Sequence, residues 1–111
     1  MSNVISMSTN FRAPKFGSIE AGLEPIQLGV GNYKFVKIQV RLTNSDGTAN
    51  DAGNVVFGDA QAQTFELVSG QASEFISLEG VGGLEGFYLR VLPGGLSNTC
   101  TVAYRAADKA E

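Results

Sequence analysis

The stretch Tyr33-Lys34-Phe35-Val36-Lys37-Ile38-Gln39-Val40-Arg41-Leu42-Thr43 decides the fold class. From Val36 its apolar residues fall on every second position. Val36, Ile38, Val40 and Leu42 share one face, and Lys37, Gln39 and Arg41 share the other. Side chains on a strand alternate between the two sides of a sheet, so this pattern predicts a strand with one face on a core and one in water. Turn-forming residues bound it: Gly29-Val30-Gly31-Asn32 before, and the Asn-, Asp- and Gly-rich run from Asn44 to Asn54 after.

The same grammar continues toward the C-terminus. Val55-Val56-Phe57-Gly58, Phe65-Glu66-Leu67-Val68, Phe75-Ile76-Ser77-Leu78, Phe87 to Leu92 and Thr99 to Arg105 are short β-branched and aromatic runs separated by Gly, Pro, Asn and Ser. The last two flank Pro93-Gly94-Gly95-Leu96-Ser97-Asn98 and read as a hairpin with a longer loop. No segment carries a helical period of useful length. The expected fold is all-β: a single small antiparallel β-sandwich or barrel of six to eight short strands, over residues 26–106. Residues 107–111 read as a flexible C-terminal tail, too short for a stable helix.

Residues 1–25 differ. Val4, Ile5, Met7, Phe11 and Phe16 sit among Ser, Thr and Asn, and Arg12-Ala13-Pro14 interrupts any regular element. Burying each large apolar side chain is worth roughly 1.5–3 kcal/mol, so a free solvated tail is a poor home for five of them. The segment is either a first strand of the domain or an arm that packs on a neighbour. In the second case Val4, Ile5, Met7, Phe11, Arg12 and Phe16 form a partner interface.

Composition narrows the function classes. A chain of 111 residues is one domain and buries roughly two-thirds of its unfolded surface. Charged residues make up only 17%, against a usual share of about a quarter, which leaves much neutral or apolar surface for partners. The net charge of −3 argues against nucleic acid, whose phosphates need Lys and Arg. No run is long enough to span a membrane, and the N-terminus lacks the basic start and apolar core of a secretion signal, so a cytoplasm-like site of synthesis is expected. Cys100, the single cysteine, has no mate for an internal disulfide and sits in an apolar strand as a buried thiol.

Chemistry finds little to use. Without histidine, the usual general base and the commonest metal ligand are missing, and Cys100 has no activator. Glu66, Glu74, Glu79 and Glu85 lie in or beside turns and form no evident acid–base pair. The loop Asn44 to Asp51 carries oxygen ligands, Asp46 and Asp51 among them, but lacks the spacing of a calcium loop, and the same residues serve any β-turn. The expectation is no enzyme, no cofactor and no metal.

One combination of residues points further. Val55-Val56-Phe57-Gly58-Asp59, Phe65-Glu66-Leu67, the turn Ser69-Gly70-Gln71, Ile76-Ser77-Leu78, Leu84, Phe87-Tyr88-Leu89-Arg90-Val91 and Val102-Ala103-Tyr104 together resemble the capsid decoration, or cement, proteins of tailed bacteriophages and related small head proteins. The likeness covers about half the chain. It departs at Val68-Ser69-Gly70, where the family pattern has a Pro-Gly pair, although Gly70 still permits a positive φ. The resemblance implies a structural virion protein on the outer capsid surface, made in the host cytoplasm, often trimeric, whose partner is the major capsid protein and which has no active site. Alternatives are a neck, tail or fibre-base adaptor of the virion, or a free-standing carbohydrate-binding β module.

Overall fold

β-branched residues on the inward face and polar ones on the outward face make β3 (Phe35–Val40) a half-buried strand. In the computed structural model, which describes residues 13–52 and 54–109, Val36, Ile38 and Val40 are fully buried while Lys37 and Gln39 are exposed. Among the described residues seven further strands accompany it: β1 (Lys15–Ala21), β2 (Ile26–Gln27), β4 (Val55–Gly58), β5 (Gln63–Leu67), β6 (Ile76–Ser77), β7 (Tyr88–Val91) and β8 (Cys100–Ala107). A 3-10 turn, Leu84–Gly86, precedes β7 and buries Leu84.

The strands form two four-stranded antiparallel sheets, ordered β1-β8-β3-β6 and β2-β7-β4-β5. Only β4 and β5 are joined as a hairpin within one sheet; every other connection carries the chain across to the opposite sheet. This is the winding of a double-sheet jelly roll. A sandwich, not a barrel, follows, with the core between the inner faces. Val36, Ile38, Val40, Cys100, Val102 and Tyr104 from the first sheet meet Val55, Phe57, Leu67, Leu89 and Val91 from the second.

Three sequence expectations change at their edges. Leu42 is 66% exposed instead of core-facing. The strand ends at Val40; beyond it the Asn50 amide donates to the Leu42 carbonyl, the chain turns into the 43–49 loop, and the alternation no longer maps onto a sheet. The hairpin expected between Phe87–Leu92 and Thr99–Arg105 does not exist, because β7 is flanked by β2 and β4 while β8 is flanked by β1 and β3. Its connecting loop is instead tied elsewhere, with the Leu96 amide donating to the Asp51 carbonyl at 2.7 Å and the Leu92 amide to the Asn54 carbonyl at 2.7 Å. Ala107, assigned to the tail, is the last residue of β8 and is buried opposite Phe35. Within residues 1–25, Lys15–Ala21 forms the edge strand β1, paired with β8 from Lys15↔Ala106 to Ala21↔Cys100.

The turn at Ser69-Gly70-Gln71 forms as its residues require: Gly70 takes φ +84 and the Gln71 amide donates to the Val68 carbonyl at 3.0 Å. From there the chain runs along the free side of β3. The Gly70 amide donates to the Val40 carbonyl, the Val40 amide to the Gln71 carbonyl and the Ser73 amide to the Ile38 carbonyl. The short β6 therefore understates how well that edge of β3 is satisfied.

Candidate functional site

Of the six residues expected at a partner interface, Val4, Ile5, Met7, Phe11 and Arg12 lie outside the described residues. Phe16 is described: it stands on the outer face of β1, 70% exposed. The register places three partners beside it. Phe16 faces Arg105 on β8, and Arg105 faces Lys37 on β3. The β3–β6 ladder, with Phe35↔Ser77 and Val36↔Ile76, then brings Phe75 alongside Lys37. One row of side chains thus crosses the first sheet in the order Phe16, Arg105, Lys37, Phe75.

The row is held by cation–π contacts. The Arg105 guanidinium carbon lies 5.8 Å from the Phe16 ring centroid and 5.4 Å from that of Phe75, and the Lys37 ammonium lies 5.5 Å from Phe75. At exposed sites each such contact contributes about 0.5–1 kcal/mol. The next row along the same face consists of Ser18, Ala103, Gln39 and Ala72. Small side chains beside large ones leave a step, and the surface there sinks into an open depression of about 230 Å³ bounded by Phe16, Lys37, Gln39, Ala72, Ala103 and Arg105.

A second opening lies where the edges β5 and β6 of the two sheets come together. Phe57, Phe65, Ser73, Glu74, Phe75 and Ile76 line a cleft of about 500 Å³ whose surface is almost entirely apolar. Three rings lead from the core to this mouth: Phe87 is buried, Phe57 stacks on it at 5.5 Å, and Phe65 stacks on Phe57 at 5.8 Å. Phe65 itself, on edge strand β5, is 69% exposed. Aromatic pairs of this kind add about 0.5–1.5 kcal/mol beyond burial, so the exposed ring is held in place before any partner arrives.

The Asp46 carboxylate accepts from the Thr48 hydroxyl at 2.6 Å and the Thr48 amide at 3.0 Å, which hold it below the ordinary carboxylate range. That is the geometry of a turn-closing side chain. Among the described residues no three of His, Cys, Asp and Glu group to hold a metal ion. Cys100 is fully buried, and burial, with the nearby Glu20 carboxylate, pushes its thiol up to about 11.

Phe75, Lys37 and Arg105 were all visible in the sequence, but nothing there marked them as neighbours. Their strands lie far apart along the chain, and only the order β1-β8-β3-β6 makes them one surface. No protein family, no curated protein and no solved structure matches the chain.

Proposed function

We propose that this chain is a structural protein of a virus particle: a decoration protein that binds the outer surface of a tailed-bacteriophage capsid and stabilises contacts between its subunits. Its partner is then the major capsid protein, its working form a homotrimer, and its site of synthesis the host cytoplasm. The role is binding without catalysis or cofactor, and it involves neither nucleic acid nor membrane.

The observation that carries this reading is the aromatic cleft on the β5–β6 side, with Phe65 exposed on an edge strand. Native proteins normally blunt or cover such edges, because unpaired backbone and apolar side chains together invite another chain. A protein whose edge is covered in an assembly has no need to blunt it. The jelly-roll winding supports the reading by analogy, since viral capsid domains use it among others. The resemblance of the strand-and-turn residues adds to this. Val4, Ile5, Met7, Phe11, Arg12 and Phe16 belong to the proposal as a second contact element.

Electron microscopy of purified particles tests it. The protein should coat the shell in a copy number set by icosahedral symmetry, and Phe65→Glu should lose occupancy while the free protein keeps its unfolding transition. Particles without the protein, or a Phe65→Glu variant that binds as well as the parent, would overturn the reading. A few copies confined to a neck or tail would instead favour an adaptor. The jelly roll is also a lectin architecture, so a carbohydrate-binding module is the second reading; binding on a glycan array would favour it.

A further inference from the structure

We propose that residues 4–11 of a second copy of this chain dock as an added strand along the free edge of β6, with Ile5, Met7 and Phe11 turned into the cleft between β5 and β6. The inference deepens the proposed function and rests on it only in taking that cleft to be covered in the working assembly.

Backbone defines the slot. The first sheet ends at β6, and no strand among the described residues lies beyond it. Val36 pairs with Ile76, and the Leu78 amide donates to the Lys34 carbonyl at 2.8 Å, so the backbone groups of Ile76 and Leu78 turn toward β3. Alternation along an antiparallel strand turns those of Phe75 and Ser77 the other way, to the open edge. The residues leading into β6 also run along β3, with the Gly70 amide on the Val40 carbonyl and the Ser73 amide on the Ile38 carbonyl. The edge from 70 to 78 is therefore long enough for a strand of eight residues. A strand added there faces Phe65 and Phe57 of the opposite sheet across the cleft. An extended segment that supplies main-chain hydrogen bonds and alternate side chains is how a second chain covers such an edge.

The sequence supplies a matching occupant. From Val4 the chain reads Val4-Ile5-Ser6-Met7-Ser8-Thr9-Asn10-Phe11. Ile5, Met7, Thr9 and Phe11 take odd positions while Ser6, Ser8 and Asn10 take even ones, the two-residue period of a strand with one apolar face. Residues 2–11 contain no Asp, Glu, Lys or Arg, which suits a cleft lined by apolar groups apart from Ser73 and Glu74.

Chain length decides which copy donates. β1 begins at Lys15 on the opposite edge of the sheet, in the order β1-β8-β3-β6. At roughly 4.8 Å per strand, the slot beyond β6 lies about 19 Å from β1. The chain from Phe11 to Lys15 reaches at most about 14 Å when fully extended. A segment seated in the slot therefore cannot belong to the chain whose cleft it fills, and a second copy donates it. Donor and acceptor are different surfaces, so the contact is heterologous and closes copies into a ring, as a homotrimer needs.

The test uses the full chain with one new thiol at a time, since Cys100 is fully buried. An Ile5→Cys chain mixed with a Phe65→Cys chain should be joined by a short bismaleimide into heterodimers. A Leu96→Cys chain, with its thiol on the β7–β8 loop, should give none. In sedimentation the parent should form an oligomer that dissociates on dilution and on addition of a peptide of residues 1–12. The Ile5→Asp/Met7→Asp and Phe65→Glu variants should each associate about tenfold or more weakly and keep the unfolding transition of the dilute parent. A parent that stays monomeric at millimolar concentration, variants that associate as tightly as the parent, or equal cross-linking to Leu96→Cys would overturn the proposal. So would cross-linking confined within a single chain carrying both Ile5→Cys and Phe65→Cys, which would put the segment in its own cleft. The two readings fail separately. Exchange between copies that coat no particle would remove the virion reading and leave this one. Particles fully coated by the Ile5→Asp/Met7→Asp variant, without cross-links between copies of the thiol variants, would do the reverse.

Discussion

The Ile38 amide points to the β6 side of β3, and its acceptor there is the Ser73 hydroxyl at 3.0 Å in place of a backbone carbonyl. That hydroxyl in turn donates to the Glu74 carbonyl at 2.8 Å, so one buried serine closes a gap in the ladder. Ser73→Ala is expected to cost about 1–3 kcal/mol, because it strands a buried donor, and to lower the melting temperature by several degrees. An unchanged melting temperature would show that the amide finds another acceptor. Cys100 gives a pH prediction. Its thiol rises from 9.0 to about 11 in the folded protein, so between those values the unfolded chain releases a proton that the folded chain keeps. Ionisation therefore favours unfolding, and stability should decline with rising pH across that window, by on the order of 2 kcal/mol from this group. Cys100→Ala should cost about 1–2 kcal/mol at neutral pH through lost packing and should flatten the alkaline decline. A decline equally steep in the variant would assign it to other groups.

Among the elements, β8 is the mainstay of the first sheet, with a seven-pair ladder to β1 and a six-pair ladder to β3. β2 and β6 pair over only two residues each. Amide hydrogen exchange should accordingly be slowest in β8 and the adjoining part of β3, and fastest around β2. Val40 ends β3 fully buried, and Val40→Asp is expected to abolish cooperative folding, since an unpaired buried carboxylate costs several kcal/mol, a large share of a domain's stability. A soluble, cooperatively unfolding Val40→Asp protein would contradict the register. The β4–β5 hairpin depends on close approach at its end. The pairing shifts between Phe57 and Gly58, and a Cβ at Gly58 would lie 2.1 Å from the Ala62 carbonyl oxygen. Gly58→Ala must therefore move backbone and should destabilise by several kcal/mol, measurable as a lowered denaturant midpoint.

At the scale of the molecule, the two sheets are joined at opposite sides by the β1–β2 and β5–β6 connections, and the core between them is closed only when both edges are present. Removing residues 1–21 takes away β1, uncovers Cys100 and Val102 on one side, and strips β8 of its longer ladder. Thermal unfolding of that truncated chain should show no cooperative transition; a sharp one would mean that β1 is dispensable to the sandwich and is better regarded as an attachment element.

What the amino-acid order determined by itself was local. Alternation from Val36 to Val40, β-branched and aromatic runs, and turns such as Ser69-Gly70-Gln71 act through neighbouring dihedrals and the two-residue period of a strand, so they were legible without coordinates. Where alternation ran one step too far, at Leu42, and where two neighbouring strands looked like a hairpin, the error had a common cause. Whether a strand continues, and which strand it pairs with, depends on partners distant in sequence. The jelly-roll order, the repair of the β3 edge by Ser73, the row from Phe16 to Phe75 and the cleft beneath Phe65 were decided by tertiary structure alone. Each arises from residues brought together across strands, and strand order is set by how all the apolar faces are buried at once, which no single segment encodes.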